Sequence, residues 1–399
     1  MKQDWTTDVV VLGGCGHVGL PLGLTLADAG LRVSLFDTNC ETTRLVQSGK
    51  MPHREAGAQE VLERTLASGN LTATSEPRCI GSAECLVVVI GTPVDEHLNP
   101  DPQAVLKAIE AVGVHLVDGQ LLVLRSTIFP GVTRMVERLI DRMGKEIDVA
   151  FCPERIAEGR AMDELRSLPQ IVSSRTTQGL ERAANLFSTI AGTIVRVEPE
   201  EAELAKLFTN SYRYIKFAAA NQLFMMANDF GADYERIRAA VVQDYPRAAD
   251  LPGPGFAAGP CLLKDTMQLA AFNNNNFALG LASMQINEGL PLYLVSRMAA
   301  KYELESMTVG ILGMAFKAES DDIRNSLSYK LKRVLKVQAA GVLTTDPYVS
   351  NDPSLVPLEE VLTKSDLIVI GAPHEIYAKG EIRQPLVDIW NLRGEGVLV

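Results

Sequence analysis

Residues 9–37 constrain the fold more than any other stretch of the chain. An apolar run of strand type, 9–12, leads into Gly14-Cys15-Gly16-His17-Val18-Gly19. A helical pattern through Leu20, Leu24, Leu26 and Ala27 follows and stops at Gly30. A second apolar run, 32–36, ends at Asp37, eighteen residues past Gly19. Strand, GxGxxG, helix, strand and acid in this order describe one dinucleotide-binding unit. The glycines allow a tight turn, close approach of backbone to a pyrophosphate and close helix–strand packing, and the helix N-terminus faces the phosphates. Asp37 would accept hydrogen bonds from an adenosine ribose, and its charge disfavours a 2′-phosphate, so NAD is expected rather than NADP. Gly14, Gly16, His17, Val18, Gly19 and Asp37 are the first cofactor candidates.

The same texture continues. The run 86–90 leads into Gly91-Thr92-Pro93, 121–124 into Arg125-Ser126-Thr127, and 149–152 into Pro153-Glu154-Arg155. Ligands bind beyond the carboxyl ends of strands in open parallel sheets, so Thr92, Thr127 and Glu154 are candidates, with helix capping as the plainer reading. After a helical middle the pattern returns. The run 309–312 precedes Gly313-Met314-Ala315-Phe316-Lys317, and 367–370 precedes Gly371-Ala372-Pro373. The segment LIVIGAP echoes LVVVIGTP near the other end. A second, smaller doubly wound sheet is expected here. It lacks GxGxxG and should bind something other than a dinucleotide. Lys317 and Arg324 face an anion there, or are a surface lysine and a paired arginine.

Residues 201–230 contain neither Gly nor Pro and read as one long helix. Lys206 and Asn210 share one face of it, with Glu203 and Arg213 near the same stripe. The stretch 252–265, PGPGFAAGPCLLKD, follows with three glycines, three prolines and the single thiol of Cys261. It reads as a shaped loop that presents a thiol beside Lys264 and Asp265. The alternative is a linker that contains a cysteine. Residues 277–302 read as a second helical region, with a kink or a restart at Pro291.

A chain of 399 residues is long enough for two or three domains. With 47% hydrophobic and 22% charged residues, its composition is that of a soluble globular protein. Its apolar runs are strand-length, and no signal-peptide layout is visible, so a cytoplasmic, non-membrane protein is expected. A net charge of −11 without a basic stripe argues against nucleic acid. Six scattered cysteines suggest reduced thiols, and five histidines without ligand spacing suggest no metal.

Taken together, these stretches resemble the UDP-glucose/GDP-mannose dehydrogenase family over nearly the whole chain. The carriers are Gly14–Gly19 with Asp37, Gly91-Thr92-Pro93, Ser126-Thr127, Pro153-Glu154-Arg155, Lys206 with Asn210, the loop around Cys261, and Phe316-Lys317 with Asp322-Ile323-Arg324-Asn325-Ser326. The resemblance implies two Rossmann-like sheets joined by a helical middle: an NAD-binding domain (1–197), a central dimerisation domain (198–303) and a nucleotide-sugar domain (304–399). It implies oxidation of the 6-hydroxymethyl group of a UDP-sugar to a carboxylate, with two hydrides passed to two NAD. Cys261 would hold the aldehyde as a thiohemiacetal and then carry a thioester. Lys206 and Asn210 would stabilise an oxyanion, and Asp265, with Lys206, would activate water. Glu154 and Thr127 would lie around that water and the nicotinamide.

Further roles follow from the same resemblance. Lys264 would favour the thiolate and, with Arg324, contact NAD, Arg324 across a dimer interface. Arg247 would reach the sugar of a partner subunit. Glu154, Arg155, Phe256, Gly259, Phe316 and Lys317 would complete the substrate site, together with Lys206 and Asn210. Three departures from the family pattern stand out. His17 occupies a common tyrosine position, Ala257-Ala258-Gly259-Pro260 replaces a Gly-Gly approach to the cysteine, and Trp390 stands where glucose-oxidising members often carry arginine. Residues 152–159 look more like the branch acting on N-acetylated UDP-hexosamines. Two rival readings are a two-electron hydroxyacid or hydroxyacyl dehydrogenase, and a non-catalytic protein that binds NAD or a nucleotide sugar.

Overall fold

The computed structural model of the chain describes residues 5–92, 94–95 and 100–399, so Pro93 and His97 lie outside the described residues. Two compact units emerge, Met1–Phe208 and Thr209–Val399.

The first unit is built on eight strands: β1 Thr7–Leu12, β2 Val33–Phe36, β3 Leu71–Thr74, β4 Ala83–Val88, β5 Leu121–Leu124, β6 Asp148–Phe151, β7 Gln170–Ser174 and β8 Ile194–Arg196. Their order is β3-β2-β1-β4-β5-β6-β7-β8. Neighbouring pairs are parallel except β6 and β7, which run antiparallel. The chain steps outward from β1 to β3 and returns on the other side at β4. The carboxyl ends of β1 and β4 therefore bound the crevice where such sheets bind ligands. The central strands β1, β4 and β5 are mostly apolar because both faces are covered. Val9, Val11, Leu35 and Val87 enter one core, whereas Val10, Leu12, Leu86 and Val88 enter the other.

The second unit holds β9 Thr308–Leu312, β10 Gly341–Thr345, β11 Leu367–Ile370 and β12 Leu386–Val387, all parallel, in the order β10-β9-β11-β12. This repeats the β2-β1-β4-β5 centre of the first sheet, down to single hydrogen bonds. Gly13 N donates to Phe36 O at 2.9 Å, and Gly313 N donates to Thr345 O at 2.9 Å. Both glycines have positive φ, 80° and 92°, so each begins the turn after its first strand in a conformation that favours glycine.

The helix Pro199–Asp229 begins in the first unit and continues into the second. Two expectations change. The loop beginning at Pro252 gives way to the helix Leu262–Phe272 directly after Cys261, because no Gly or Pro follows Pro260 until that helix ends. The region 277–302 does not restart at Pro291: the helix Ala278–Lys301 passes through it. An interior proline costs about 3 kcal/mol. Leu290, Leu294, Val295 and Met298 are all fully buried, and each contributes roughly 1.5–3 kcal/mol, which outweighs the lost bond. Among the described residues no helix is long and apolar enough to cross a membrane, and no cluster of His, Cys, Asp and Glu could hold a metal ion.

Candidate active site

In the first unit the glycine loop is shaped as a cradle. A Cβ on Gly14 would lie 2.7 Å from Val11 O and 2.8 Å from Leu35 Cα, and one on Gly19 would lie 2.2 Å from Gly13 O. These two glycines let the backbone segments touch. Gly16 is different, since its nearest neighbour would be Gly13 O at 3.6 Å, which leaves its side open to a ligand. The left-handed residue of the turn is Gly13, one position before the motif. Val18 precedes the helix Gly19–Asp28, and no side chain caps that N-terminus, so its N–H groups and partial positive charge are available to a phosphate. Asp37 is half-buried and accepts from Cys15 N at 3.1 Å and Asn39 N at 3.0 Å, which fixes its carboxylate at the end of β2. These residues fit a dinucleotide with a free ribose diol. His17 stacks on His53 with ring centroids 4.1 Å apart.

Further along the same sheet, Thr92 Oγ1 donates to Thr127 O at 2.6 Å, joining the turns after β4 and β5. Ser126 Oγ accepts from Ile90 N at 2.8 Å. Glu154 is buried, pairs with Arg125 Nη2, and accepts from Arg155 N at 2.7 Å and Ile156 N at 3.0 Å. Arg125 also donates to Cys152 O at 3.1 Å and Gln170 Oε1 at 3.0 Å, and its guanidinium lies 4.6 Å over the Phe187 ring. A buried arginine with these partners fixes the Pro153–Arg155 turn and the position of the Glu154 carboxylate. Arg125 escaped sequence reasoning because its partners are 29 and 45 residues away. The Arg155 guanidinium donates to Pro169 O, and burial pulls its pKa below the usual arginine value. Glu203 serves a different end, accepting from Gly131 N, Thr133 N and Thr133 Oγ1. It caps the helix Val132–Arg142. Lys206 is buried, and among the described residues no carboxylate pairs with it.

The second unit gathers the residues around the thiol. Cys261 is exposed and occupies the N-cap of the helix Leu262–Phe272, and its own side chain does not cap that end. Asp265, one turn on, donates its N–H to Cys261 O at 2.8 Å. Its carboxylate is fully buried, lies 2.6 Å from Lys264 Nζ, and accepts from Asn210 Nδ2 at 2.5 Å. Asn210, Lys264, Asp265 and Cys261 thus form one cluster.

The loop before the thiol is fixed from two sides. Asn221 donates to Gly255 O at 3.0 Å and accepts from Gly255 N at 2.9 Å, while Nδ2 also reaches Asn287 Oδ1 at 2.9 Å. Asn287 in turn donates to Tyr214 O at 3.1 Å. This buried amide chain ties the loop to both long helices, and sequence reasoning missed it. The signal was present: Asn221 lies eleven residues, three helical turns, from Asn210. On the other side stand aromatic rings. A Cβ on Gly255 would lie 2.3 Å from the Trp390 ring, and one on Gly259 would lie 2.6 Å from Phe316. Both glycines also have positive φ, 151° and 99°. Phe256 meets Trp390 edge-on with centroids 6.0 Å apart, and Lys317 Nζ lies 5.5 Å over the Phe316 ring. Arg324 pairs with Asp322 at 2.6 Å, while Arg247 is exposed, stacks on Tyr245 and donates to its hydroxyl at 2.8 Å.

Comparison with known proteins places these features. Residues 8–191 match the NAD binding domain, 200–288 the central domain and 310–393 the UDP binding domain of the UDP-glucose/GDP-mannose dehydrogenase family. The chain is similar to UDP-N-acetyl-D-mannosamine dehydrogenase of Pyrococcus horikoshii, 30% identical over 90% of this chain and 88% of that protein. It is similar to NDP-N-acetyl-D-galactosaminuronic acid dehydrogenase of Ralstonia nicotianae, 27% identical over 94% and 92% of the two chains. It superposes on a UDP-glucose dehydrogenase structure from Pyrobaculum islandicum with a TM-score of 0.89 and 25% identity, covering 97% and 95% of the two chains. The cradle in the first unit is therefore an NAD site, and the protein is an NAD-dependent oxidoreductase. The matches run from residue 8 to residue 393, and the chain belongs to the UDP-glucose/GDP-mannose dehydrogenase family.

Proposed function

We propose that this enzyme oxidises the C6 hydroxymethyl group of a UDP-hexose to a carboxylate in two steps, with a UDP-N-acetylhexosamine as the favoured substrate and UDP-glucose second. The observation that carries this reading is the exposed thiol of Cys261 at a helix N-terminus, one turn from the buried Asp265, which Asn210 and Lys264 hold. A two-electron alcohol oxidation needs no thiol, whereas a four-electron oxidation at one site needs a group that retains the aldehyde.

The glycine loop and Asp37 would hold NAD, which would supply the hydride acceptor for both oxidations. Between them, the Cys261 thiolate adds to the C6 aldehyde carbon and forms the C–S bond of a thiohemiacetal. The helix N-terminus supplies partial positive charge where the thiolate sits. Asn210, and Lys206 one turn before it on the same face, are assigned to the C6 oxygen as charge develops there. A buried lysine without a carboxylate partner suits an anionic ligand atom. Loss of the second hydride leaves a thioester. Asp265 takes a proton from water as the water oxygen bonds to the thioester carbon; the C–S bond then breaks, Cys261 leaves as the thiolate, and the sugar is released as the carboxylate. Glu154 and Thr127 are assigned to the water and nicotinamide, Lys264 and Arg324 to NAD, and Arg155, Arg247, Phe256, Gly259, Phe316 and Lys317 to the nucleotide sugar.

The sugar preference is supported by Trp390, a ring filling the space beside Gly255 where an arginine is common in glucose-oxidising members. It is supported as well by the names of the mannosamine and galactosaminuronic acid relatives. The enzyme is proposed to work as a homodimer, because Leu223 and Met226 on the helix Pro199–Asp229, with Phe230 just past its end, form an exposed apolar stripe. The test is NADH formation with UDP-glucose, UDP-N-acetylglucosamine, UDP-N-acetylgalactosamine, UDP-N-acetylmannosamine and GDP-mannose. Two NADH per sugar consumed is expected with an N-acetylated UDP-hexose. A single NADH would sink the four-electron reading, as would normal turnover by Cys261→Ala.

A further inference from the structure

The repeat between the two sheets makes one difference conspicuous. Asp37 follows β2, and Asp346 follows β10, the corresponding strand of the second unit. Asp37 is half-buried and keeps room to bind a ribose. The Asp346 carboxylate is fully buried and accepts four backbone N–H groups, from Met314 (2.6 Å), Ala315 (2.9 Å), Tyr348 (2.9 Å) and Val349 (3.2 Å). A fifth partner, His374 Nε2, lies 3.0 Å from its Oδ2. The acid that would hold a ribose in the first unit is sealed by an imidazole in the second.

The hydrogen-bond pattern fixes the state of that imidazole. Glu319 N donates to His374 Nδ1 at 2.9 Å, so Nδ1 carries a lone pair and the proton sits on Nε2, directed at Asp346. The ring is fully buried, between Tyr348 and Tyr377 with centroids 5.0 and 5.7 Å away. Glu319 has φ of 55°, a left-handed conformation unfavourable for a residue with a side chain. Three bonds hold it there: its N–H to His374, Tyr348 OH to its Oε2 at 2.6 Å, and Glu375 N to its Oε1 at 3.0 Å. Glu319 is two residues past Lys317.

We infer that His374, backed by Asp346, is a positioning residue that acts through Glu319 to fix the Phe316–Lys317 segment for the nucleotide of the substrate. The inference rests on the assignment of Phe316 and Lys317 to the nucleotide sugar. A turn already fixed in its bound conformation spares the ordering cost that a mobile one incurs on binding. The second unit has thus converted a ribose-binding acid into the anchor of a binding turn.

Calorimetric titration with UDP, alongside titration with NAD, tests this. In Glu319→Gly the left-handed backbone is relaxed and the side-chain bonds are lost, so Tm is expected to hold while the Kd for UDP rises ~10-fold. The Kd for NAD should stay within about 2-fold. Asparagine places its carbonyl near the Nδ1 position, whereas glutamine places its amide near Nε2. His374→Asn, which keeps the acceptor for Glu319, should therefore bind UDP more tightly than His374→Gln, which keeps only the donor to Asp346. Equal effects on UDP and NAD, or variants with lowered Tm and unchanged UDP affinity, would overturn the inference and leave a structural role. A wild-type enzyme that fails to bind UDP would instead overturn the nucleotide-sugar assignment, and this inference with it.

Discussion

Six thiols in one chain differ mainly in what surrounds them. Cys15, Cys85 and Cys152 are buried, and burial pushes each thiol up to about 12. At pH 8 a group with that pKa is thiolate in about one molecule in 10⁴, and only the thiolate alkylates. Cys40 and Cys261 are exposed. Cys79 is half-buried and pushed up to about 11, so brief treatment with iodoacetamide at pH 8, read by peptide mass spectrometry, should label Cys40 and Cys261 and spare the other four. UDP-sugar should protect Cys261 and leave Cys40 unprotected. Labelling of Cys261 that ignores saturating substrate would detach this thiol from the proposed chemistry.

At the scale of elements, the loop before Cys261 is held by complementarity between small and large residues. Gly255→Ala would drive a methyl group into the Trp390 ring at a φ that disfavours any side chain. Trp390→Ala should remove the collision but not the backbone strain. A double-mutant cycle by urea unfolding should therefore show a coupling of roughly 0.5–3 kcal/mol, with the double variant less destabilised than the sum. Strict additivity would mean that the ring and the glycine are not in contact. The exposed stripe of Leu223, Met226 and Phe230, the last 89% exposed, belongs to this scale as well. Met226→Glu combined with Phe230→Glu should shift the protein to the monomer mass in size-exclusion chromatography with light scattering, and an unchanged dimer would move the interface elsewhere. Elements such as these were legible where the signal is local. Apolar runs ending in Gly or polar turns marked β1, β4, β5, β9 and β11, and a stretch without Gly or Pro marked the helix Pro199–Asp229. What could not be read depends on partners distant in sequence. The Asn221–Asn287 bond spans 66 residues, Arg125–Glu154 spans 29, and the His374–Asp346 contact joins two loops through the sheet order. Pro291 misled because its cost is local and its compensation is tertiary.

For the whole molecule, the sign of each perturbed carboxyl determines how acid acts on it. Burial alone would raise the pKa of Asp346, but His374 and the N–H groups of Ala315 and Tyr348 outweigh it and hold the carboxyl below its usual range. Asp352 is likewise lowered: burial opposes, while Ser354 and Tyr329 prevail. The unfolded chain would titrate these acids near about 3.9. A carboxyl whose folded pKa lies below that value adds stability that is fully present above it and is lost as pH falls through the folded value. In the first unit Asp8 and Glu200 are also lowered, by Arg32 and Arg175, but these pairs are open to solvent and contribute little. Acid should therefore weaken the unit 209–399 first. The chain has two tryptophans, Trp5 and Trp390, so Trp5→Phe leaves Trp390 to report on the second unit alone. Its urea midpoint, followed by fluorescence, should fall steeply as pH drops from 5 towards about 3. In the Trp5→Phe background, Asp346→Asn should lower the midpoint at pH 5 and flatten its dependence on pH, because the group that takes up the proton on unfolding is gone. A variant curve that runs parallel to the parent at a lower level would assign the acid sensitivity to other carboxyls and reduce Asp346 to a packing role.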